Sequence, residues 1–226
     1  MVKAAFSHVR AWVFDLDNTL YPPSARLFDQ IEVRMTDFVA TALGVDRAEA
    51  DHLRDHYWKA YGTTLAGLMA EHDVDPGPYL TEVHEIDFSV LTPDPALAAA
   101  ITALPGRKIV YTNGCEPYAR NVLAARGLAQ VFDAVSQRHV EMDVGAVYGV
   151  EHAGFRPKPE QAAFEAVFAL DGLPADQGAM FEDDIRNLAA PHAMGMRTVL
   201  VAPQPHPADH IHHHTDDLAG FLSQLV

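Results

Sequence analysis

The chain has 226 residues, nearly half of them apolar, enough to bury the core of one domain with a large insertion or of two small domains. With 16 Lys and Arg against 31 Asp and Glu the formal net charge is −15, which excludes nonspecific attraction to a nucleic-acid backbone or an anionic membrane; a phosphorylated small molecule would have to meet local positive charge, from a few basic side chains or a metal cation. Cys115 is the only cysteine and no run of about 18 apolar residues occurs, so no intrachain disulfide and no membrane span are expected, and the cytoplasm is the expected compartment; oligomeric state is not legible.

The first strong signal is Trp12-Val13-Phe14-Asp15-Leu16-Asp17-Asn18-Thr19-Leu20-Tyr21. A strand-forming run ends in two carboxylates separated by one residue, and Asn-Thr then favours a turn. In an open parallel sheet the carboxyl ends of strands form the crevice where ligands bind, and both acids fall there. Pro22-Pro23 breaks the chain.

Residues 22–91 carry only helical signals. Phe28, Ile31, Met35, Phe38, Val39 and Ala42 recur at three and four residues, predicting a helix over 27–43 that Gly44 ends. Asp46 is placed to cap a second helix reaching about residue 58, a third covers 65–72, Asp75-Pro76-Gly77-Pro78 reads as a turn, and a fourth covers 79–86.

Beyond Thr92-Pro93-Asp94-Pro95 strands and helices alternate. Helices are predicted over 96–104, 117–125, 161–170, 185–194 and 218–226, and strands over 108–111, 131–135, 179–181 and 197–201. This alternation predicts an α/β fold, a three-layer doubly wound parallel sheet with an inserted all-helical cap: a discontinuous core of 1–21 and 92–226, and a cap of 22–91. The five histidines in 206–214 lack clear ligand spacing and read as a solvated or packed connection rather than a metal site.

Three later strand ends resemble the first. Thr112-Asn113-Gly114 places a hydroxyl, an amide and a flexible backbone where phosphoryl oxygens can be held. Lys158 lies in Arg156-Pro157-Lys158-Pro159-Glu160, fixed by prolines on both sides. Glu182-Asp183-Asp184 follow an apolar strand and repel one another unless a cation sits among them. A hard divalent cation, most simply Mg²⁺, held by Asp15, Asp183 and a backbone carbonyl, would together with Lys158 neutralise a phosphate group. Cys115 has no histidine near it in sequence and reads as a small packed thiol.

These four stretches together resemble the motifs of haloacid-dehalogenase superfamily hydrolases, over the whole chain. The run 14–22, Phe-Asp-Leu-Asp-Asn-Thr-Leu-Tyr-Pro, with the late Lys-Pro and Glu-Asp-Asp, is similar more narrowly to the pyrimidine 5′-nucleotidase branch. The resemblance implies a Rossmann-like core with its cap inserted after the first motif. It also implies a Mg²⁺-dependent phosphatase that forms an aspartyl-phosphate and acts on a small phosphomonoester, first of all a pyrimidine nucleoside 5′-monophosphate. Asp15 would be the nucleophile and Asp17 the general acid and then base, with the Asp17 backbone carbonyl as a further metal ligand. Thr112, assisted by backbone N–H groups near Leu16 and Asn113, would hold the phosphoryl group, and Lys158 would stabilise developing charge and restrain Asp15. Asp183, with Asp184 as a further candidate, would complete the metal site.

A carboxylate at Asp17 favours phosphoryl transfer over carbon–halogen cleavage, which by the resemblance needs no acid there. A sugar-phosphate phosphatase or phosphomutase is the alternative within the family. A catalytically silent phosphate-binding regulatory module is the alternative of another class, and it would need no proton donor at Asp17. Substrate choice is expected from the cap. Tyr57, Trp58 and Tyr61 either stack on a base or, at helical spacing, pack a core; Arg34 and Lys59 either reach substrate or are surface charges. Hinges are expected near Tyr21-Pro22-Pro23 and Leu91-Thr92-Pro93.

Overall fold

The computed structural model describes residues 2–132 and 146–226. In chain order its elements are α1 (Val2–Ala5), β1 (Ala11–Phe14), α2 (Leu27–Leu43), α3 (Arg47–Tyr61), α4 (Thr64–His72), α5 (Pro76–Val83), α6 (Pro95–Ala103), β2 (Arg107–Tyr111), α7 (Glu116–Ala125), β3 (Val147–Tyr148), α8 (Gln161–Asp171), β4 (Gly178–Glu182), α9 (Ala189–Ala193), β5 (Arg197–Val201), β6 (His213–Thr215) and α10 (Leu218–Ser223).

Every residue of β1 and of β4 is buried, as strands covered by helices on both faces require, which is why they read as continuous apolar runs. The sheet order is β3-β2-β1-β4-β5-β6, and every neighbouring pair is parallel. The fold is therefore α/β, a doubly wound parallel sheet. From β1 the chain runs outward to β2 and β3, then crosses back to β4 on the other side of β1 and continues to β5 and β6. That reversal places the switch-point crevice at the carboxyl ends of β1 and β4, where Phe14 pairs with Phe181.

Helices α2 to α5 lie between β1 and β2, and their ends follow local chemistry. Gly44, at φ 64°, closes α2 in the left-handed region. The side chains of Asp46 and Thr63 accept the backbone N–H groups of Glu49 and Ala66, capping α3 and α4. The predicted turn at 75–78 is instead the start of α5: Asp75 caps Gly77 at 2.9 Å, and Pro76 occupies the first helical position, where its missing N–H costs nothing.

The strand predicted over 131–135 does not begin where it was expected. Residues Ala129–Phe132 form a 3₁₀ turn, with Phe132 buried edge-on against Phe14 at 5.9 Å, and 133–135 lie outside the described residues. Among the described residues the outer strand on that side is β3. The histidine-rich connection is partly solvated, over 203–207, and partly packed, as expected, but it also hides the edge strand β6, paired with β5. Three of its imidazoles meet the backbone: His210 Nε2 donates to the Ile185 carbonyl at 3.0 Å, His212 Nδ1 accepts the Thr198 N–H at 3.1 Å, and His214 Nε2 donates to the Ala202 carbonyl at 2.7 Å.

Arg126, at the end of α7, ties the two connections to the helical segment. Its buried guanidinium donates to the Leu20 carbonyl at 3.0 Å, to the Thr92 carbonyl, and to Asp94 at 2.8 Å.

Candidate active site

Asp15 is the first residue beyond β1, and its N–H donates to the Phe181 carbonyl at 2.9 Å, extending the ladder by one bond. Its carboxylate is thus aimed by the sheet itself. Lys158 reaches it from the loop before α8: Nζ donates to Asp15 Oδ1 at 2.6 Å, to Glu182 Oε2 at 2.7 Å and to the Tyr111 carbonyl at 3.1 Å. Lys158 is 1% exposed. Burial alone would lower its pKa, but the charges of Asp15 and Glu182 outweigh burial and hold it above the ordinary lysine value, so it stays an ammonium. Its backbone is fixed as well, because the Asn113 side chain accepts the Lys158 N–H at 2.8 Å and donates to the Lys158 carbonyl at 3.1 Å.

Asp17 stands two residues on, across a turn in which Asn18 adopts φ 57°, a left-handed conformation that asparagine tolerates. Leu16 is fully buried, and its carbonyl accepts the Leu20 N–H at 3.0 Å, which shapes this turn. The Asp17 carboxyl receives two phenols on one oxygen: Tyr21 donates to Oδ1 at 2.6 Å, and Tyr118 donates to the same atom. Burial, and then the Asp15 charge, push the Asp17 pKa up to about 6 against the lowering pull of the phenols. A carboxyl in that range exchanges protons near neutral pH.

Thr112, fully buried beyond β2, accepts the Gly114 N–H on Oγ1 at 2.9 Å, which leaves its hydroxyl hydrogen free to donate elsewhere. Carboxylate oxygens of Asp15, Glu182 and Asp183 lie within 4.8 Å of one another. Burial and mutual repulsion raise the pKa values of Glu182 and Asp183. Asp15 Oδ2 is buried without a hydrogen-bond partner. When all three carboxylates are ionised, one ammonium leaves two negative charges on hard oxygen donors, a set that fits a divalent cation such as Mg²⁺. Asp184 lines the same cavity but is not one of the three clustered carboxylates. Its carboxylate caps the Arg186 N–H at 3.0 Å and pairs with the Arg186 guanidinium at 2.6 Å, so its hydrogen bonds serve the turn after β4.

A cavity of about 450 Å³ joins these groups to the helical segment, with Asp15, Asp17, Thr112, Lys158 and Asp183 on one side and Phe28, Ile31, Met35, Leu65 and Val83 on the other.

The profile of the haloacid dehalogenase-like hydrolases matches residues 9–195, which span β1, the helical segment and every strand end described above. The chain belongs to this hydrolase family. It is 27% identical to phosphate metabolism protein 8 of Saccharomyces cerevisiae over 204 residues, covering 84% of this chain and 61% of that protein, so it spans about three fifths of the length of this curated relative. Two solved structures share the fold. The HAD-hydrolase YfnB of Bacillus subtilis, bound to magnesium, superposes with a TM-score of 0.58 at 16% identity, covering 96% of this chain and 98% of that one. A HAD phosphatase of Thermococcus onnurineus gives 0.56 at 16% identity with the same coverage.

Within this haloacid dehalogenase-like hydrolase the cavity walls sort the remaining candidates. Tyr57 is fully buried and bonds His72, and Tyr61 donates to Glu71; neither lines the cavity. Trp58 does, 45% exposed, with the Arg186 guanidinium 3.8 Å above its ring. Arg34 donates to the Glu85 carbonyl and Lys59 pairs with Asp55; the arginines at the cavity are Arg54 and Arg186. Cys115 has a histidine partner after all, since His84 Nδ1 lies 3.3 Å from Sγ. That nitrogen also donates to the Leu80 carbonyl at 2.7 Å, and burial raises the thiol pKa, so the pair does not generate a thiolate. Glu182, Tyr21, Tyr118 and Arg186 are site residues that sequence reasoning left unassigned. Glu182 and Tyr21 stand inside the quoted motifs, whereas nothing local marks Tyr118. Among the described residues no helix is long and apolar enough to cross a membrane.

Proposed function

We propose that the chain is a Mg²⁺-dependent phosphatase that hydrolyses a small phosphomonoester through an aspartyl-phosphate on Asp15. The observation that carries this reading is Asp17: a second, half-buried carboxyl at the same strand end, poised to hold a proton near neutral pH, which simple anion binding does not require. In the first step an Asp15 oxygen bonds to phosphorus, the bond to the leaving oxygen breaks, and the Asp17 proton passes to that oxygen. In the second, Asp17 takes a proton from water as the water oxygen bonds to phosphorus, and the Asp15–phosphorus bond breaks to release inorganic phosphate.

Lys158 holds the Asp15 carboxylate in place through Oδ1 and offers positive charge to the phosphoryl oxygens. The free Thr112 hydroxyl hydrogen donates to one of those oxygens, with backbone N–H groups of Leu16 and Asn113 beside it. Asp15, Asp183 and the Asp17 backbone carbonyl would hold the metal ion, which supplies neutralisation of charge developing on the phosphoryl oxygens. Residues 22–91 act as a cap that excludes water, hinged at the two connections that Arg126 ties.

A pyrimidine nucleoside 5′-monophosphate is the first substrate to test. The similarity of 14–22 to the pyrimidine 5′-nucleotidase branch supports it, a cavity of about 450 Å³ suits a small molecule, and the name of the yeast relative places that protein in phosphate metabolism. The experiment is a phosphate-release screen over nucleotides, sugar phosphates and p-nitrophenyl phosphate, with and without Mg²⁺. Turnover of at least one monoester only with the metal is expected, and its loss in a folded Asp15→Asn variant identifies the nucleophile. Metal-loaded protein that releases phosphate from none of them ends this reading.

A further inference from the structure

Tyr21 and Tyr118 come from different elements, the turn after β1 and helix α7, yet their hydroxyls converge on a single atom, Asp17 Oδ1. Each is 1% exposed. The approach of Tyr118 is built into its surroundings. Gly114 carries no Cβ, and one placed there would stand 2.8 Å from the Tyr118 ring. On its other side the ring stacks on His84 at 4.2 Å with planes 10° apart, so the helical segment holds one face of it.

An aspartate carboxyl has a broad, two-fold torsion about its last bond, and left alone it presents either oxygen to the cavity. Two donors on one oxygen remove that symmetry. Both lone-pair directions of Oδ1 are taken by hydroxyl donors, so a proton on the carboxyl resides on Oδ2. Resting on the phosphatase reading above, we propose that Tyr21 and Tyr118 are positioning residues that fix the Asp17 carboxyl with Oδ2 toward the leaving oxygen, so that proton transfer accompanies cleavage of the ester bond.

This role predicts a signature that a purely structural role lacks. A poor leaving group needs the proton and a good one does not, so loosening Asp17 penalises only the former. Wild type, Tyr21→Phe, Tyr118→Phe and the double variant are compared on phenyl phosphate and on p-nitrophenyl phosphate, esters of similar size, at fixed pH with saturating Mg²⁺. The quantity read is kcat/KM, which reports steps through leaving-group departure and is blind to the later hydrolysis of the phosphoenzyme. Each single variant is expected to lose about tenfold or more on phenyl phosphate, part of the roughly 10²–10⁴ that a positioned general acid supplies, and less than about threefold on p-nitrophenyl phosphate. Equal losses on the two esters, or no loss on either, overturn the inference while leaving the phosphatase reading intact. If the wild type cleaves neither aryl ester, the same variants are compared on the alkyl monoester it does cleave, also a poor leaving group, where each must lose about tenfold or more in kcat/KM or the inference falls; a wild type that releases phosphate from no monoester overturns both. Tyr118→Phe keeps the ring on His84, and if either single variant fails to fold the other, on a separate element, reads the same ratio.

Discussion

Lys158 is 1% exposed and keeps its charge, while His84, only half-buried, is held neutral. The difference lies in what faces each. Two carboxylates meet the ammonium, whereas His84 faces the Leu80 carbonyl, the Tyr118 ring and the Cys115 thiol, with no anion to offset burial. Burial lowers the His84 pKa from 6.5 to about 4, against the smaller raising effect of the Leu80 carbonyl. Between those values the unfolded chain binds the proton and the folded chain does not. Stability from this residue is therefore complete above about pH 6.5 and lost as pH falls toward 4, an effect on the order of 1–3 kcal/mol. A His84→Phe variant keeps an aromatic ring against Tyr118 and should show a shallower decline over that window, read from urea midpoints at several pH values. An unchanged slope would remove His84 as the cause.

At the scale of elements, what could be read from the chain depended on how local its cause was. Strands β1 and β4 announced themselves because every residue of each is buried, and β2 and β5 because each ends in a buried apolar run, Ile109-Val110-Tyr111 and Val199-Leu200-Val201. Helices α2 to α4 followed from spacing and from caps within three residues of their ends. Asp15, Lys158 and Asp183 were legible for a related reason: each directly follows a strand or sits between two prolines. Strand β6 was hidden because two of its three residues are histidines, His213 packed against Phe6 and Phe221 and His214 bonded to the Ala202 carbonyl, and β3 because it has only two residues. Tyr118 was hidden because it lies 101 residues from Asp17 in sequence. Arg126 was hidden in the same way, since its partners Leu20 and Thr92 meet only when the helical segment closes its loop. Arg126→Met deprives the buried Leu20 carbonyl, the part-buried Thr92 carbonyl and Asp94 of their donor. At about 1–3 kcal/mol for each orphaned group, a loss of about 3 kcal/mol is expected in urea unfolding. A loss below about 1 kcal/mol would show that water replaces the guanidinium and that the connections are not fixed by it.

For the molecule as a whole, a net charge of −15 and a carboxylate cluster inside the crevice act in the same direction, against folding in the absence of a cation. Burial, with the charges of Glu182 and Asp15, raises the Asp183 pKa above its unfolded value, so the ionised form that a metal requires is the one the empty fold disfavours. Sites built for function often carry such a cost. Asp183→Asn removes one charge while keeping the shape of the side chain, so without divalent metal the variant should melt above the wild type. Mg²⁺ should reverse the order. A cation that binds only the folded state stabilises it by about 2.7 kcal/mol at 100 times its Kd, and the wild type should gain this increment while the variant gains little of it. Because the ligands must be ionised, the wild-type increment should also grow as pH rises from 5 to 8. Thermal unfolding of both proteins with and without Mg²⁺ at the two pH values decides the matter. A wild type that gains nothing from the cation, or a variant less stable than wild type in its absence, would show that the three carboxylates are held by hydrogen bonding alone.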